Sequence, residues 1–293
     1  MDLLGKILAL TCALLWAIAV ILFKRAGESI RPLSLNWYKT ALTAILLFPF
    51  LLVQGIGGLS QEDLWAVLAS GVLGIAVSDT LFFIALDRLG ASLAAIVDCF
   101  YAPFVMIAAW IMLNQEPRPT QIGGGLFVIA AVLVVAFDKG HAHLVTDRRK
   151  LVVGFLAGAS AMAFMGVSIA FMQPILNRAS LWVVTELRVL AALAVLTPMM
   201  LLRRDRRNLF GSLLGRNAWR HALPGSFLGN VLAMTIWVAA FKYTSVSSAA
   251  ILNQTNTIFV VILAAWVLKE TFTQKRLIGT LLAFSGAVMV LVG

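Results

Sequence analysis

The chain has 293 residues, of which 61% are hydrophobic and 12% charged, and its mean hydropathy is +0.96. That composition excludes a soluble globular domain. The net charge of +10 invites a nucleic-acid reading, but the basic residues sit in connectors between apolar runs, so a membrane and not a nucleic acid is the expected partner.

A helix needs about 20 mostly apolar residues to cross roughly 30 Å of hydrocarbon. Runs of that kind predict ten spans, at 3–23, 34–54, 64–86, 91–113, 121–137, 152–173, 182–202, 222–241, 246–268 and 276–292. They read as helices, because lipid offers backbone amides no partners, and the alternation of a barrel strand is missing. Span 1 ends in Lys24 and Arg25 without a small-residue cleavage site, so a retained span is expected and not a signal peptide. Cys12 and Cys99 lie in spans 1 and 4 without metal-ligand spacing and are expected to be packing residues.

Ionisable groups inside spans each cost at least about 2.5 to 3.5 kcal/mol on insertion scales and need a reason. Lys39 in span 2 is expected to snorkel to the basic interface behind it. Asp79 in span 3 has Lys39 and Arg188 as candidate partners. In span 4, Asp98 and Tyr101 are three apart and share a helix face, and Pro103 is expected to bend the span. Arg188 in span 7 does not face Glu186, two residues away, so a substrate anion is one candidate partner. Span 9 carries Asn253, Gln254 and Asn256, which read equally well as a polar site or as interhelical hydrogen bonds. Asp98 and Asp79 are the proton-coupling candidates. Trp37, Trp65, Trp182 and Trp219 read as interfacial anchors. His141, His143 and His221 lie in connectors, so neither a metal nor a cofactor is expected.

Lys and Arg are divided 17 to 4 between the two sets of connectors. The positive-inside rule then puts the basic loops in the cytoplasm and both termini outside. The chain also repeats itself. A shift of 149 aligns Gly5 with Gly154, Lys39 with Arg188 and Pro49 with Pro198. A shift of 155 aligns Gly74 with Gly229, Ser92 with Ser247, Ile96 with Ile251 and Phe104 with Phe259. A shift of 154 aligns Glu116 with Glu270 and Gly125 with Gly279. The change of shift falls in the connector after the second span of each half, where length varies most freely. The expected units are residues 1–138 and 152–293, joined by a basic connector at 139–151. Five spans per unit is an odd number, so the second copy is inverted in the membrane. Inverted repeats suit a transporter, because two pseudo-symmetric halves can exchange conformations around one central site.

LWAIAVILFKRA in span 1, LNWYKTALTAILLFP in span 2 and the paired Glu-x8-Gly endings before spans 5 and 10 resemble the drug/metabolite transporter superfamily, in its ten-span form with two EamA-type repeats. The resemblance covers the whole chain. It implies an all-α integral membrane protein of two five-helix inverted repeats around a central cavity, lined by spans 1, 3, 4, 6, 8 and 9, with spans 5 and 10 outside. It further implies an exporter or exchanger of amino acids, other metabolites or drugs; some relatives carry nucleotide sugars or phosphorylated sugars. Many members are drawn with both termini inside, where the charge count here argues the reverse. On lining spans, Trp16 and Trp237 join the cavity candidates Asp98, Tyr101, Asn253, Gln254, Asn256, Asp79 and Arg188. Glu116 and Glu270, at equivalent connectors, are expected to pair at the interface or cap helix ends. A monomer in the plasma (inner) membrane is expected, and the rival reading is a scaffold or regulator that kept the fold without transport. No phosphate-cradling loop, HExxH or nucleophile elbow suggests an enzyme.

Overall fold

The computed structural model describes residues 2–56, 58–136, 148–176, 178–243, 252–271 and 273–292. Among them the chain is helix and turn, with no strand. The spans run Asp2–Ala26, Pro32–Gln54, Gln61–Leu89, Ala91–Leu113, Pro119–Ala136, Arg148–Leu176 and Leu181–Leu201, then an eighth from Ala218 to Tyr243, a ninth whose second part is Asn256–Val267, and Gln274–Val292. Seven of these helices are long and apolar enough to cross a membrane as they stand. Large apolar side chains such as Ile45, Val53, Ile111, Leu126 and Trp266 face outward, as a lipid-exposed surface requires.

Local chemistry sets the ends of the spans. Ser60 Oγ accepts from the Asp63 amide at 3.1 Å while the Asp63 carboxylate accepts from the Ser60 amide at 3.3 Å, a reciprocal cap that starts span 3. Pro32 opens span 2, where its missing N–H costs nothing. Gly90, at φ 83°, makes the tight turn from span 3 into span 4.

The repeat is visible in the irregularities of the helices. A wide π-helical stretch interrupts span 3 at Val72–Ser78, and another interrupts span 8 at Phe227–Ala233. These are the same positions under the shift of 155. Spans 4 and 9 break at equivalent two-residue turns, Cys99–Phe100 and Gln254–Thr255. The turn hydrogen bonds match as well: the Phe100 amide donates to Val97 O at 3.0 Å, and the Thr255 amide to Leu252 O at 3.2 Å. Pro103 was expected to bend span 4 and so make the halves unequal. The structure corrects this, because span 9 breaks at the same place with Ile258 where span 4 has proline.

Each π stretch packs on the first span of the opposite half. A Cβ on Gly74 would lie 2.3 Å from Ser168 Oγ, and one on Gly229 would lie 2.9 Å from Ala19 Cβ. Ser168 and Ala19 are themselves repeat equivalents, so one close approach is built twice. Spans 5 and 10 pack tightly on each other at the edge, where a Cβ on Gly124 would lie 2.5 Å from Gly286 O.

Candidate functional site

The π stretches and broken helices surround a cavity of about 350 Å³, within the size range of small-molecule sites. Span 1 contributes Cys12 and Trp16, span 2 Lys39, Thr40 and Thr43, span 3 Ile75 and Asp79, and span 4 Tyr101. From the second half come Met165 and Ile169 of span 6, Thr185, Arg188 and Val189 of span 7, Gly229, Asn230, Ala233 and Met234 of span 8, and Asn253 of span 9. The lining therefore includes spans 2 and 7, which are not among the lining spans that the resemblance implies, although Arg188 of span 7 was a cavity candidate.

Many lining positions are repeat partners: Trp16 with Met165, Lys39 with Arg188, Thr40 with Val189, Ile75 with Asn230, and Asp79 with Met234. The cavity thus lies across the pseudo-symmetry of the fold, and most of these pairs differ in polarity between the halves. The irregular helices, spans 3, 4, 8 and 9, all contribute to the lining, beside the continuous helices of spans 1, 2, 6 and 7. Asn36, fully buried in span 2, donates from Nδ2 to Ile75 O at 2.7 Å and to Thr80 Oγ1 at 2.9 Å. It thereby satisfies a carbonyl within the π stretch, which hydrocarbon would not.

The charges are arranged unequally. Lys39 Nζ forms an ion pair with the Asp79 carboxylate and lies 5.8 Å from the centroid of the Phe83 ring. Lys39 is only 5% exposed, so the expected snorkelling is corrected: a carboxylate one span away holds the ammonium inside. Among the described residues Arg188 has no such ion pair. Its Nη2 donates to Ser168 Oγ at 3.0 Å and its Nη1 lies 3.1 Å from Met172 Sδ, while Nε has no hydrogen-bond partner. Ser168 is held in turn by donating to Ser70 O at 2.7 Å. Thr185 Oγ1, Asn230 Oδ1 and Asn253 Oδ1 are likewise buried without partners among the described residues.

Of the residues singled out from sequence, Trp16, Asp79, Tyr101, Arg188 and Asn253 line this cavity. Asp98, Gln254 and Asn256 do not. The reason is the turn at Cys99–Phe100 and its partner at Gln254–Thr255, which removes the continuous helical face assumed for Asp98 and Tyr101. Asn256 is 7% exposed and accepts from Thr257 Oγ1 at 3.1 Å, and Thr257 Oγ1 lies 3.4 Å from Cys99 Sγ. That chain of contacts joins spans 4 and 9 as interhelical hydrogen bonding. The Trp237 side chain lies outside the described residues. Cys12, expected to be mere packing, lines the cavity. Lys39, Thr40, Thr43, Thr185 and Asn230 were missed as cavity residues; the signal available for Lys39 was its alignment with Arg188. Glu186 is fully buried outside the lining, and neither of its oxygens has a hydrogen-bond partner among the described residues.

Glu270 is remote from this lining. Its Oε1 accepts from the Ala91 amide at 2.7 Å and its Oε2 from the Ser92 amide at 3.1 Å, with Arg276 Nη1 at 3.6 Å. It therefore caps the first turn of span 4, where the helix dipole favours a negative charge. No group of three or more His, Cys, Asp or Glu side chains that could hold a metal occurs among the described residues.

The EamA-like transporter family profile matches residues 3–137 and again residues 152–292. An uncharacterized transporter of Archaeoglobus fulgidus is 20% identical over 288 residues, 97% of each chain. The uncharacterized inner membrane transporter YhbE of Escherichia coli strain K12 is 26% identical over 178 residues, covering 59% of this chain and 55% of that protein. A crystal structure 17% identical to the chain superposes with a TM-score of 0.66 over 99% of this chain and 96% of that one, so it shares the fold. With the family matched over both halves of an apolar, helical chain, this chain is a multi-pass membrane protein that belongs to the EamA-like transporter family.

Proposed function

We propose that the chain is a secondary active transporter that exports or exchanges a small metabolite, of about amino-acid size, by alternating access to the cavity between its two repeats. The observation that carries this reading is the pairing of the lining: equivalent positions of two inverted halves meet at one cavity. Halves so related can exchange conformations and open the same site to either side in turn. The cavity size suits one small solute. Asp79 is the coupling carboxylate in this scheme, because it lines the cavity and holds Lys39, whereas Asp98 stands outside the lining. The chain works as a monomer in the plasma membrane, with its basic loops in the cytoplasm and both termini outside.

The test is solute counterflow in liposomes containing the purified full-length protein, with a panel of amino acids, organic acids and amines. The expected result is saturable exchange of at least one solute, reduced at least tenfold by Asn253→Ala, and with an altered pH profile in Asp79→Asn. Absence of flux for every solute would favour a scaffold that kept the fold.

A further inference from the structure

We infer that the solute carries a net negative charge, as a carboxylate-bearing organic monoanion, and that the guanidinium of Arg188 is its counter-ion. This rests on the transport reading and specifies the charge of what that site takes. It narrows the solute from amino acids in general to solutes with no ammonium group of their own.

The argument comes from comparing the two halves. Lys39 and Arg188 are repeat equivalents, and so are Asp79 and Met234; all four line the cavity. In the first half the pair is complete, because Lys39 binds Asp79. In the second half the carboxylate is replaced by a thioether, and the cation remains. Arg188 is left with one hydroxyl and one sulfur as partners, and with an unsatisfied Nε. Among the described residues no carboxylate lies within ion-pair distance of it. A cation inside a membrane protein without a counter-ion is costly, so the site is suited to an anion that arrives with the substrate.

The position is also prepared for it. A Cβ on Gly74 would lie 2.9 Å from Arg188 Nη2, so the glycine leaves the space that the guanidinium occupies. An arginine fork matches a carboxylate in shape as well as charge. Among the described residues Arg188 is the lining cation without an ion-paired carboxylate, which suits one negative charge, since Lys39 is already engaged by Asp79. Among the described residues the same engagement leaves no unpaired lining carboxylate to receive an ammonium, which disfavours a zwitterion. The unpartnered oxygens of Asn230 and Asn253 can accept from a hydroxyl on the solute, and Trp16, Ile75 and Met165 offer apolar walls for its body.

The experiment measures binding to purified full-length protein in detergent by thermal shift and calorimetry, using three sets of charge-matched probes. These are 3-phenylpropionate, phenylalanine and 2-phenylethylamine; 4-methylpentanoate, leucine and 3-methylbutylamine; and propionate, alanine and ethylamine. The expected result is that at least one carboxylate binds tenfold or more tightly than both of its partners. Arg188→Gln removes that preference, and Arg188→Lys keeps part of it. Met234→Asp supplies the missing counter-ion in place and lowers carboxylate affinity at least tenfold while Arg188 remains, which separates charge balance from misfolding. Binding of no carboxylate, tighter binding of a zwitterion or amine in every set, or an unchanged preference in Met234→Asp overturns the inference. Flux without anion preference would refute this inference alone; carboxylate binding without flux would refute the transport reading alone.

Discussion

At the scale of single residues, the Lys39–Asp79 pair shows how a buried charge is tolerated in a membrane. Each group is costly alone and acceptable together. Removing one partner, by Lys39→Met or Asp79→Leu, is expected to destabilise the protein by about 3 to 5 kcal/mol, measured by thermal unfolding in detergent. The double variant is expected to be more stable than either single one, and equal additivity of the two losses would show that the groups do not interact. The sequence made this pair readable only in part. Asp79 had Lys39 as a candidate partner, yet snorkelling was the expected reading of the lysine, because hydropathy records where a residue lies along a span and not which way it points. The same limit put Cys12 among packing residues and left Asn230 unnoticed. Asp98 falls outside the lining for a different reason: its shared face with Tyr101 assumes a continuous helix across Cys99–Phe100, and no residue there announces a turn.

At the scale of elements, the irregular parts of the helices matter more than the regular ones. Span positions follow from composition, since hydrocarbon thickness imposes a length and apolarity that sequence displays directly. The π stretches at Val72–Ser78 and Phe227–Ala233 have no such signature, because they depend on close packing against Ser168 and Ala19 in the other half. Glu270 belongs to this scale too. Its two backbone hydrogen bonds join the connector before span 10 to the first turn of span 4, and so join the two repeats. Glu270→Gln is expected to lower stability by about 1 kcal/mol and Glu270→Ala by about 1 to 2 kcal/mol, seen as a lower apparent unfolding temperature. Unchanged unfolding in both would show that the cap contributes nothing. Its sequence equivalence to Glu116 was legible; its partners at Ala91 and Ser92 were not, because they lie 179 and 178 residues away along the chain.

At the scale of the whole molecule, an inverted repeat gives one site two potential routes, and the cavity between the halves is lined by matched positions of both. The duplication could be read from sequence because glycines, charges and the Glu-x8-Gly endings kept their spacing. The repeat alignment also shows Met234 where the first half has Asp79; what sequence could not supply was that both line one cavity, in which, among the described residues, Lys39 is ion-paired and Arg188 is not. On the reading proposed above, that difference selects the charge of the solute and the repeat provides the route of its movement. The direct measurement of that movement uses a thiol the protein already has. In a Cys99→Ala background, Cys12, which lines the cavity, is reacted with a membrane-impermeant thiol reagent applied to one face or the other of oriented vesicles. Alternating access predicts that Cys12 is modified from both faces, with each rate changed by a bound solute. Modification from one face only, or from neither, would contradict it.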